Sequence, residues 1–221
     1  MQKFDTPAPI SAVLDIPAGR IQFIAADRAD TTVEVRPANA SKGRDVKVAE
    51  QTTVEYDEGV LRIEALAKNQ YLGPSGAIEV TIQLPAGSQV TVKAAAAEFR
   101  AVGRFGDVVF EGAHGEIKLD EAASVRLTAL AGDVSVGRLA GPAEISTTKG
   151  DIRVAEAVRG MVVLRTQAGD VTVGAAHGVS AALDAGTGYG RIHNALRNTD
   201  GAADLNIHAT TAYGDIDARS L

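Results

Sequence analysis

Acidic residues that directly follow glycine recur along the second half of the chain, and a series of carboxylates could bind a hard cation such as calcium. Calcium-binding β-rolls, however, carry a Gly-Gly-x-Gly-x-Asp nonapeptide, which is absent here. Gly adopts positive φ and Asp accepts hydrogen bonds from nearby backbone N–H groups, so the pair also favours a tight turn. We therefore predict no metal site and no cofactor, and structural turns at Gly106-Asp107, Gly132-Asp133, Gly150-Asp151, Gly169-Asp170 and Gly214-Asp215.

A pair of carboxylates on one strand could hydrolyse a glycosidic bond, with one of them protonating the leaving group. Asp215 and Asp217 alternate along the last strand of the sequence, and Asp184 could join them. Aromatic platforms for a sugar are scarce in this half of the chain, where only Tyr189 and Tyr213 qualify. A carbohydrate-active enzyme is therefore the remote alternative, and we predict no catalytic residue.

The sequence contains no recognisable motif for catalysis by histidine, serine or cysteine. The chain has no Cys, and neither Gly-x-Ser-x-Gly nor His-Glu-x-x-His occurs. The four histidines, at 114, 177, 193 and 208, are scattered, although His193 and His208 could meet across neighbouring strands. The glycine-rich segment 184–190 precedes a strand, whereas a phosphate-binding loop leads into a helix.

Two tyrosine-containing features could contact a protein partner. Tyr71 and Leu72 place apolar side chains in an otherwise polar connection, where they either bind a partner or fold back over the first strands. Tyr189 and Tyr213 each precede a Gly that starts a strand, which favours an aromatic ladder at the end of the domain. We list Tyr71, Leu72, Tyr189 and Tyr213 as candidate contact residues.

The elements that position these residues form a repeat. Apolar residues stand two and four places after most of the glycines, as in Gly150-Asp151-Ile152-Arg153-Val154. Alternation of this kind predicts a strand with one buried face. Successive glycines at 115, 132, 150 and 169 are 17, 18 and 19 residues apart, which fits two strands and two turns. A unit so small must stack on its neighbours to bury its apolar face.

The first hundred residues predict less regular, more hairpin-like strands, at 10–16, 20–25, 32–36, 52–56, 60–65, 77–84 and 89–94. Pro17-Ala18-Gly19 and Pro85-Ala86-Gly87 predict two turns. Segments 37–45 and 67–76 are expected to be loops, and helical periodicity is not convincing anywhere. We expect one elongated β-repeat domain over residues 1–221. Its residues 1–100 form irregular strands and a cap, and its residues 101–221 form regular Gly-Asp rungs.

Composition narrows the classes of function. The chain of 221 residues has a net charge of −6, so a basic surface for nucleic acid is not indicated. Residues 1–9 show no features of a signal peptide. The sequence also contains no run of roughly 20 apolar residues, which is the length that a membrane-spanning helix needs. We expect a cytoplasmic protein as encoded, without membrane insertion, that reaches the cell envelope only through a partner.

The Gly-Asp-Val-x-Val turns, the Leu84-Pro85-Ala86-Gly87 turn and the terminal Tyr213-Gly214-Asp215-Ile216 resemble the bacterial putative-adhesin family of β-strand repeat proteins. This resemblance implies an all-β, stacked β-solenoid without catalytic residues, often attached to envelope proteins. The resulting prediction is a non-enzymatic scaffold for protein–protein contacts. The alternative is a structural protein that self-assembles through the ends of its solenoid.

Overall fold

A computed structural model describes residues 1–65, 76–199 and 201–221. The chain divides into two compact units, Met1–Gly115 and Glu116–Leu221, and each is described by itself. The predicted all-β fold of stacked strand repeats is confirmed. A single domain over the whole chain stays a prediction.

The first unit contains seven strands and one helix among its described residues. They are β1 (Gln2–Asp5), β2 (Ser11–Ala26), β3 (Asp30–Pro37), α1 (Gly43–Gln51), β4 (Thr52–Asp57), β5 (Val60–Ala65), β6 (Ile78–Pro85) and β7 (Gln89–His114).

Strand β2 is the centre of this unit. On one side it runs parallel to β5 and then to β6, and on the other it runs parallel to β7. Strands β3 and β4 add to β6 and β5 in antiparallel fashion, and β1 adds to β3. The predicted hairpin-like character of the N-terminal part is therefore confirmed. Inside the unit, the ring of Phe99 packs against those of Phe23 and Phe110, with centroid distances of 6.1 and 5.2 Å.

An ion-pair cluster ties β1 to β3 in the first unit. Asp30 binds Arg28 Nε at 2.8 Å and Lys3 Nζ at 3.0 Å. The hydrogen bond from Arg28, followed by that from Lys3, lowers the pKa of Asp30 to about 2. Asp30 therefore stays ionised well below the pH at which a solvated carboxyl takes up a proton.

The prediction that segment 37–45 is a loop without a following helix is wrong, because α1 begins at Gly43. This helix packs against β3, β5 and β6. Its Asp45 is 4% exposed and accepts a hydrogen bond from the Ala77 N–H at 3.1 Å. A nine-residue helix is too short to be stable by itself. Its tertiary contacts therefore stabilise it, and no long periodic pattern marks it in the sequence.

The two predicted Pro-Ala-Gly turns differ in the structure. Gly87 has φ 84° and follows Pro85 in a turn that is closed by a hydrogen bond from Ser88 Oγ to the Pro85 carbonyl. The turn predicted at Pro17-Ala18-Gly19 is wrong, because these residues lie inside the continuous strand β2. A Cβ on Gly19 would lie 1.7 Å from the Ile78 carbonyl oxygen, so this glycine permits close approach of two strands.

The second unit consists of ten strands within its described residues. They are β8 (Ile117–Ala131), β9 (Val134–Leu139), β10 (Ala143–Lys149), β11 (Ile152–Ala157), β12 (Gly160–Arg165), β13 (Val171–Ala175), β14 (Ala181–Tyr189), β15 (Ile192–Ala195), β16 (Leu205–Tyr213) and β17 (Ile216–Ser220). All their pairings are parallel, and two strands make one rung.

The order of the last rungs in space differs from their order in the chain. Strands β16 and β17 pair with β12 and β13, and β14 and β15 then add to the outer side of β16 and β17. If the rungs stacked in chain order, the solenoid would end on residues 213–221, and the structure shows that it does not. The last rung of the stack is β14 with β15, which we call the terminal rung (residues 181–195).

The predicted inward rows are confirmed. Leu127, Ile145, Leu164 and Ala209 occupy one column across β8, β10, β12 and β16, and the last three are 0% exposed. Parallel strands in register place equivalent residues one above another. The core of this unit is therefore a set of aliphatic columns that run along the stack.

Candidate functional site

The corner carboxylates of the second unit form a hydrogen-bonded ladder. Asp133 Oδ1 accepts the Asp151 N–H at 2.9 Å, Asp151 Oδ1 accepts the Asp170 N–H at 2.8 Å, and Asp170 Oδ1 accepts the Asp215 N–H at 2.7 Å. Each side chain thus binds the backbone of the next corner. This satisfies a donor that the change of direction between strands would otherwise leave exposed.

The glycines before these aspartates stack with almost no room between them. A Cβ on Gly150 would lie 2.2 Å from the Gly132 carbonyl oxygen, and one on Gly169 would lie 2.1 Å from that of Gly150. Their φ values of +141° and +155° are also unfavourable for other residues. Glycine at the corner is therefore required by close approach of successive rungs.

Threonines three places before Gly169 and Gly214 supply a second ladder that the sequence reasoning missed. Thr166 Oγ1 donates to the Gly150 carbonyl at 3.0 Å, and Thr211 Oγ1 donates to the Gly169 carbonyl at 2.9 Å. Both threonines are 6% exposed. Alternation along each strand places both on its inward face, and the spacing Thr-x-x-Gly is the signal that marks their role.

Arg191 ends the carboxylate ladder and was also missed by the sequence reasoning. It stands where the other rungs have an aspartate, and its backbone N–H binds Asp215 Oδ1 at 2.8 Å. Its guanidinium also binds Asp215 Oδ2, with Nε at 3.2 Å and a terminal nitrogen at 2.7 Å. These hydrogen bonds lower the pKa of Asp215 and raise the pKa of Arg191. A cation at this place neutralises the end of a column of negative charges.

Gly106-Asp107 is placed differently from the other predicted corners. Both residues lie within β7 of the first unit, and Gly106 lacks the positive φ of Gly132, Gly150, Gly169 and Gly214. The Gly106 N–H donates to the Ser88 carbonyl at 2.9 Å. Gly106 therefore lies beside the 85–88 turn, and a Cβ there would lie 2.8 Å from the Gly87 carbonyl oxygen.

Tyr189 and Tyr213 form a stacked pair on the terminal rung and the rung below it. They occupy the same register position on β14 and β16, their centroids are 5.1 Å apart, and their planes differ by 5°. The side chains are 71% and 61% exposed, respectively. The structure thus brings the two rings together at the surface, while their role as a partner contact stays a prediction.

The histidines of the last two rungs bind aspartates instead of each other. His193 Nδ1 lies 3.1 Å from Asp217 Oδ2, and His208 Nδ1 lies 3.0 Å from Asp184 Oδ2. Together with the Arg191–Asp215 pair, these contacts join the terminal rung to the rung below it. All three carboxylates of the glycosidase alternative therefore have a basic partner.

Other candidate features add no site. Tyr71 and Leu72 lie outside the described residues. A groove of about 710 Å³ in the first unit is lined by small residues and by four charged ones, Asp15, Glu64, Lys93 and Glu111, of which the last two lie 3.8 Å apart. Within residues 1–65, 76–199 and 201–221, His, Asp and Glu side chains form no group of three that could hold a metal ion. The single helix in this part of the chain is too short to cross a membrane.

Comparisons with known proteins identify the fold. A family model described as Toastrack DUF4097 matches residues 13–220. The chain is similar to a solved structure of a putative adhesin from Bacteroides fragilis, with 15% identity, 98% of this chain and 95% of that chain covered, and a TM-score of 0.55. No curated protein matches the sequence.

Two further solved structures have TM-scores below 0.5. One is a putative cell adhesion protein from Clostridium sporogenes, with 9% identity, 100% and 98% coverage of the two chains and a TM-score of 0.40. The other is a putative lipid binding protein from Parabacteroides distasonis, with 11% identity, 98% and 95% coverage and a TM-score of 0.43.

Proposed function

Because the chain belongs to the Toastrack DUF4097 family, we propose that it is a non-enzymatic β-solenoid scaffold that mediates protein–protein contacts through its terminal rung. The observation that carries this proposal is the stacked pair Tyr189–Tyr213, which is 71% and 61% exposed. Tyrosine is enriched at the centres of protein interfaces, since its large ring buries apolar area while its hydroxyl stays hydrogen-bonded.

The hydrogen-bonded backbone that carries the two rings supports a binding role. Tyr213 precedes Gly214, whose carbonyl accepts a hydrogen bond from Thr187 Oγ1 at 2.9 Å. The Gly214 N–H donates to the Tyr189 carbonyl at 3.0 Å, which fixes the backbone of the second ring. The Tyr213 N–H also donates to the Gln167 carbonyl at 3.0 Å. Rings on a rigid backbone lose little conformational entropy when a partner covers them.

The pairing of the acidic residues supports a role without catalysis. A glycosidase needs one carboxyl group that keeps its proton near neutral pH. Asp215 instead has a lowered pKa because Arg191 binds it, and Asp184 and Asp217 each contact a histidine. The environment of Asp215 favours its ionised form, and the side chains of Asp184 and Asp217 are engaged by histidines. A carbohydrate-active enzyme is therefore the weaker alternative.

Substitution of both rings tests the proposal. The double variant Tyr189→Ser/Tyr213→Ser is compared with Leu130→Ser/Met161→Ser, whose parent side chains are 56% and 54% exposed elsewhere on the same unit. Proteins that co-purify with the wild type are identified by mass spectrometry, and the strongest is purified for calorimetric titration. Loss of a central aromatic contact costs about 2 kcal/mol or more, so we expect Kd to rise by about 30-fold in the tyrosine variant alone. Equal Kd values for the two double variants would refute the proposed surface.

Self-assembly through the end of the solenoid remains the second candidate function. One observation favours it: in the described residues, β14 pairs only with β16 and β15 only with β17, so the outer edge of the terminal rung has no strand beside it.

The cytoplasmic location expected from the sequence also remains a proposal, which cell fractionation tests.

A further inference from the structure

The outer edge of the terminal rung lacks several of the devices by which proteins protect exposed strands. Edge strands are usually guarded by Lys, Pro, bulges or inward-pointing charges. Strand β14 reads Ala-Ala-Leu-Asp-Ala-Gly-Thr-Gly-Tyr and β15 reads Ile-His-Asn-Ala, so neither contains Lys, Arg or Pro. At the start of β14 the Ala181 N–H already donates to the Arg197 carbonyl at 2.9 Å. Further along β14 and along β15, the outer edge has no strand beside it in the described residues.

An apolar column also ends uncovered on this rung. Ile192 is the last residue of a column that includes Val171 and Ile216, which are 0% and 1% exposed. Ile192 itself is 46% exposed. Covering it would remove apolar surface from water, which favours association.

The charges of the terminal rung are divided between its two strands. Strand β14 carries Asp184, whereas Arg191 and His193 lie on the β15 side of the corner. If β14 paired with β14 of a second copy near its middle, the two Asp184 side chains would approach each other. If β14 paired with β15 of a second copy, Asp184 would face the half of the rung that carries the basic residues.

A two-fold axis over the corner at Gly190 produces the second arrangement. Strand β14 runs toward Gly190 and β15 runs away from it. An axis that runs parallel to the plane of the rung, above its outer edge, and bisects the corner therefore places β15 of the second copy antiparallel to β14 of the first. The same operation places β14 of the second copy antiparallel to β15 of the first, so one closed symmetric contact satisfies both edges.

The residues beside this axis complement each other. Tyr189 precedes Gly190 by one residue and Arg191 follows it by one, so the axis places each Tyr189 beside Arg191 of the partner subunit. A guanidinium next to a tyrosine ring is a favourable contact. The stacked tyrosines thereby become the centre of a symmetric interface.

We propose that two copies of this chain associate head to head through their terminal rungs, each β14 pairing antiparallel with β15 of the other copy. This proposal rests on the proposed function, because it names a second copy as the partner of the same surface. Strand β15 has four residues, so the contact is small beside a standard interface of about 20 to 30 residues a side. The dimer is accordingly weak and depends on protein concentration.

Light scattering coupled to size exclusion, across a concentration series up to about 1 mM, where even a millimolar Kd populates the dimer, tests the proposal. The wild type should rise from 22.8 kDa toward twice that mass. Ile192→Lys, which places a charge at the end of the apolar column, should remain at 22.8 kDa. Leu130→Lys, a matched change at a residue that is 56% exposed, should behave as the wild type does. A wild type that stays monomeric, or an Ile192→Lys variant that dimerises equally, would overturn the proposal.

A cysteine cross-link tests the symmetry of the contact. The chain has no Cys, so Tyr189→Cys introduces a single thiol beside the proposed axis. The two positions 189 flank the axis without lying directly opposite each other, so we expect a short bismaleimide to cross-link the Tyr189→Cys dimer, whereas Met161→Cys should give no covalent dimer. A wild-type dimer without a cross-link at position 189 would overturn the head-to-head geometry. A monomeric wild type that still binds a different protein through Tyr189 and Tyr213 would refute self-association and leave the proposed contact surface intact.

Discussion

The carboxylate ladder makes a quantitative prediction about Asp151, which lies between Asp133 and Asp170. Its Oδ1 accepts the Asp170 N–H at 2.8 Å, and its own N–H is bound by Asp133. Asp151→Ala removes the acceptor, whereas Asp151→Asn keeps an amide oxygen in the same place and removes only the charge. The two variants therefore separate the hydrogen bond from the charge.

The magnitudes follow from the spacing of the rungs. Successive strands lie about 4.8 Å apart, and two like charges at about 5 Å repel by about 0.8 kcal/mol in water. Asp151 has two such neighbours, and physiological salt reduces their combined repulsion to about 0.8 kcal/mol. The hydrogen bond contributes about 1 kcal/mol. We expect Asp151→Asn to be at least as stable as the wild type and about 1 kcal/mol more stable than Asp151→Ala.

Urea unfolding followed by far-ultraviolet circular dichroism measures these differences, because the chain has no Trp for fluorescence. Raising the salt to about 1 M, where the Debye length is about 3 Å, should stabilise the wild type relative to Asp151→Asn. Equal stability of the Asn and Ala variants would refute the hydrogen-bond account. Calcium that stabilises the wild type but not Asp151→Asn would show that the ladder binds cations.

Three further predictions concern a core residue, a corner glycine and the loss of stability at low pH. Leu164→Ala removes a side chain that is 0% exposed and should lower the free energy of unfolding by about 2 to 5 kcal/mol; Met161→Ala, on the outer face of the same strand, should change it by less than about 0.5 kcal/mol, and equal losses would mean that the register is wrong. Gly169→Ala should lower the Tm more than Gly178→Ala, because both have positive φ but only the first Cβ would meet a backbone oxygen, at 2.1 Å; the opposite order in a melting experiment would contradict close stacking. The pKa of Asp30 is lowered in the folded state from 3.8 to about 2, so its contribution to stability is present above pH 3.8 and is lost as the pH falls toward 2; Asp30→Asn should flatten that part of the Tm–pH curve, and an unchanged slope would show that the ion-pair cluster contributes nothing.

The inward rows of the second unit could be predicted because they depend only on local alternation. Val134, Ile152 and Val171 each stand two places after a corner glycine, and all are at most 1% exposed. Side chains alternate between the faces of any strand, so the pattern is valid before the partner strands are known. The same reasoning predicted the Tyr189–Tyr213 ladder, since both residues precede such a glycine.

Helix α1 could not be predicted because its stability comes from distant residues. Within it, Asp45 is buried and binds the backbone of Ala77, 32 residues further along the chain. A polar residue as the most buried member of a short helix runs against the usual amphipathic pattern. Only contacts with β3, β5 and β6 make this segment helical.

The sequence by itself determined the strands, their inward faces and the corner residues, because these follow from periods of two residues and from the steric needs of glycine. The order of the last two rungs was decided only by the tertiary structure, since segments 181–195 and 205–220 compete for the same edge of β12 and β13. Asn194 shares a column with Val173 and Ala218. In chain order it would be buried between them without water, and in the observed order it lies at the exposed end of the stack. Burying an amide without partners is costly, and this cost, together with the cation of Arg191 at the end of the carboxylate ladder, favours the observed order.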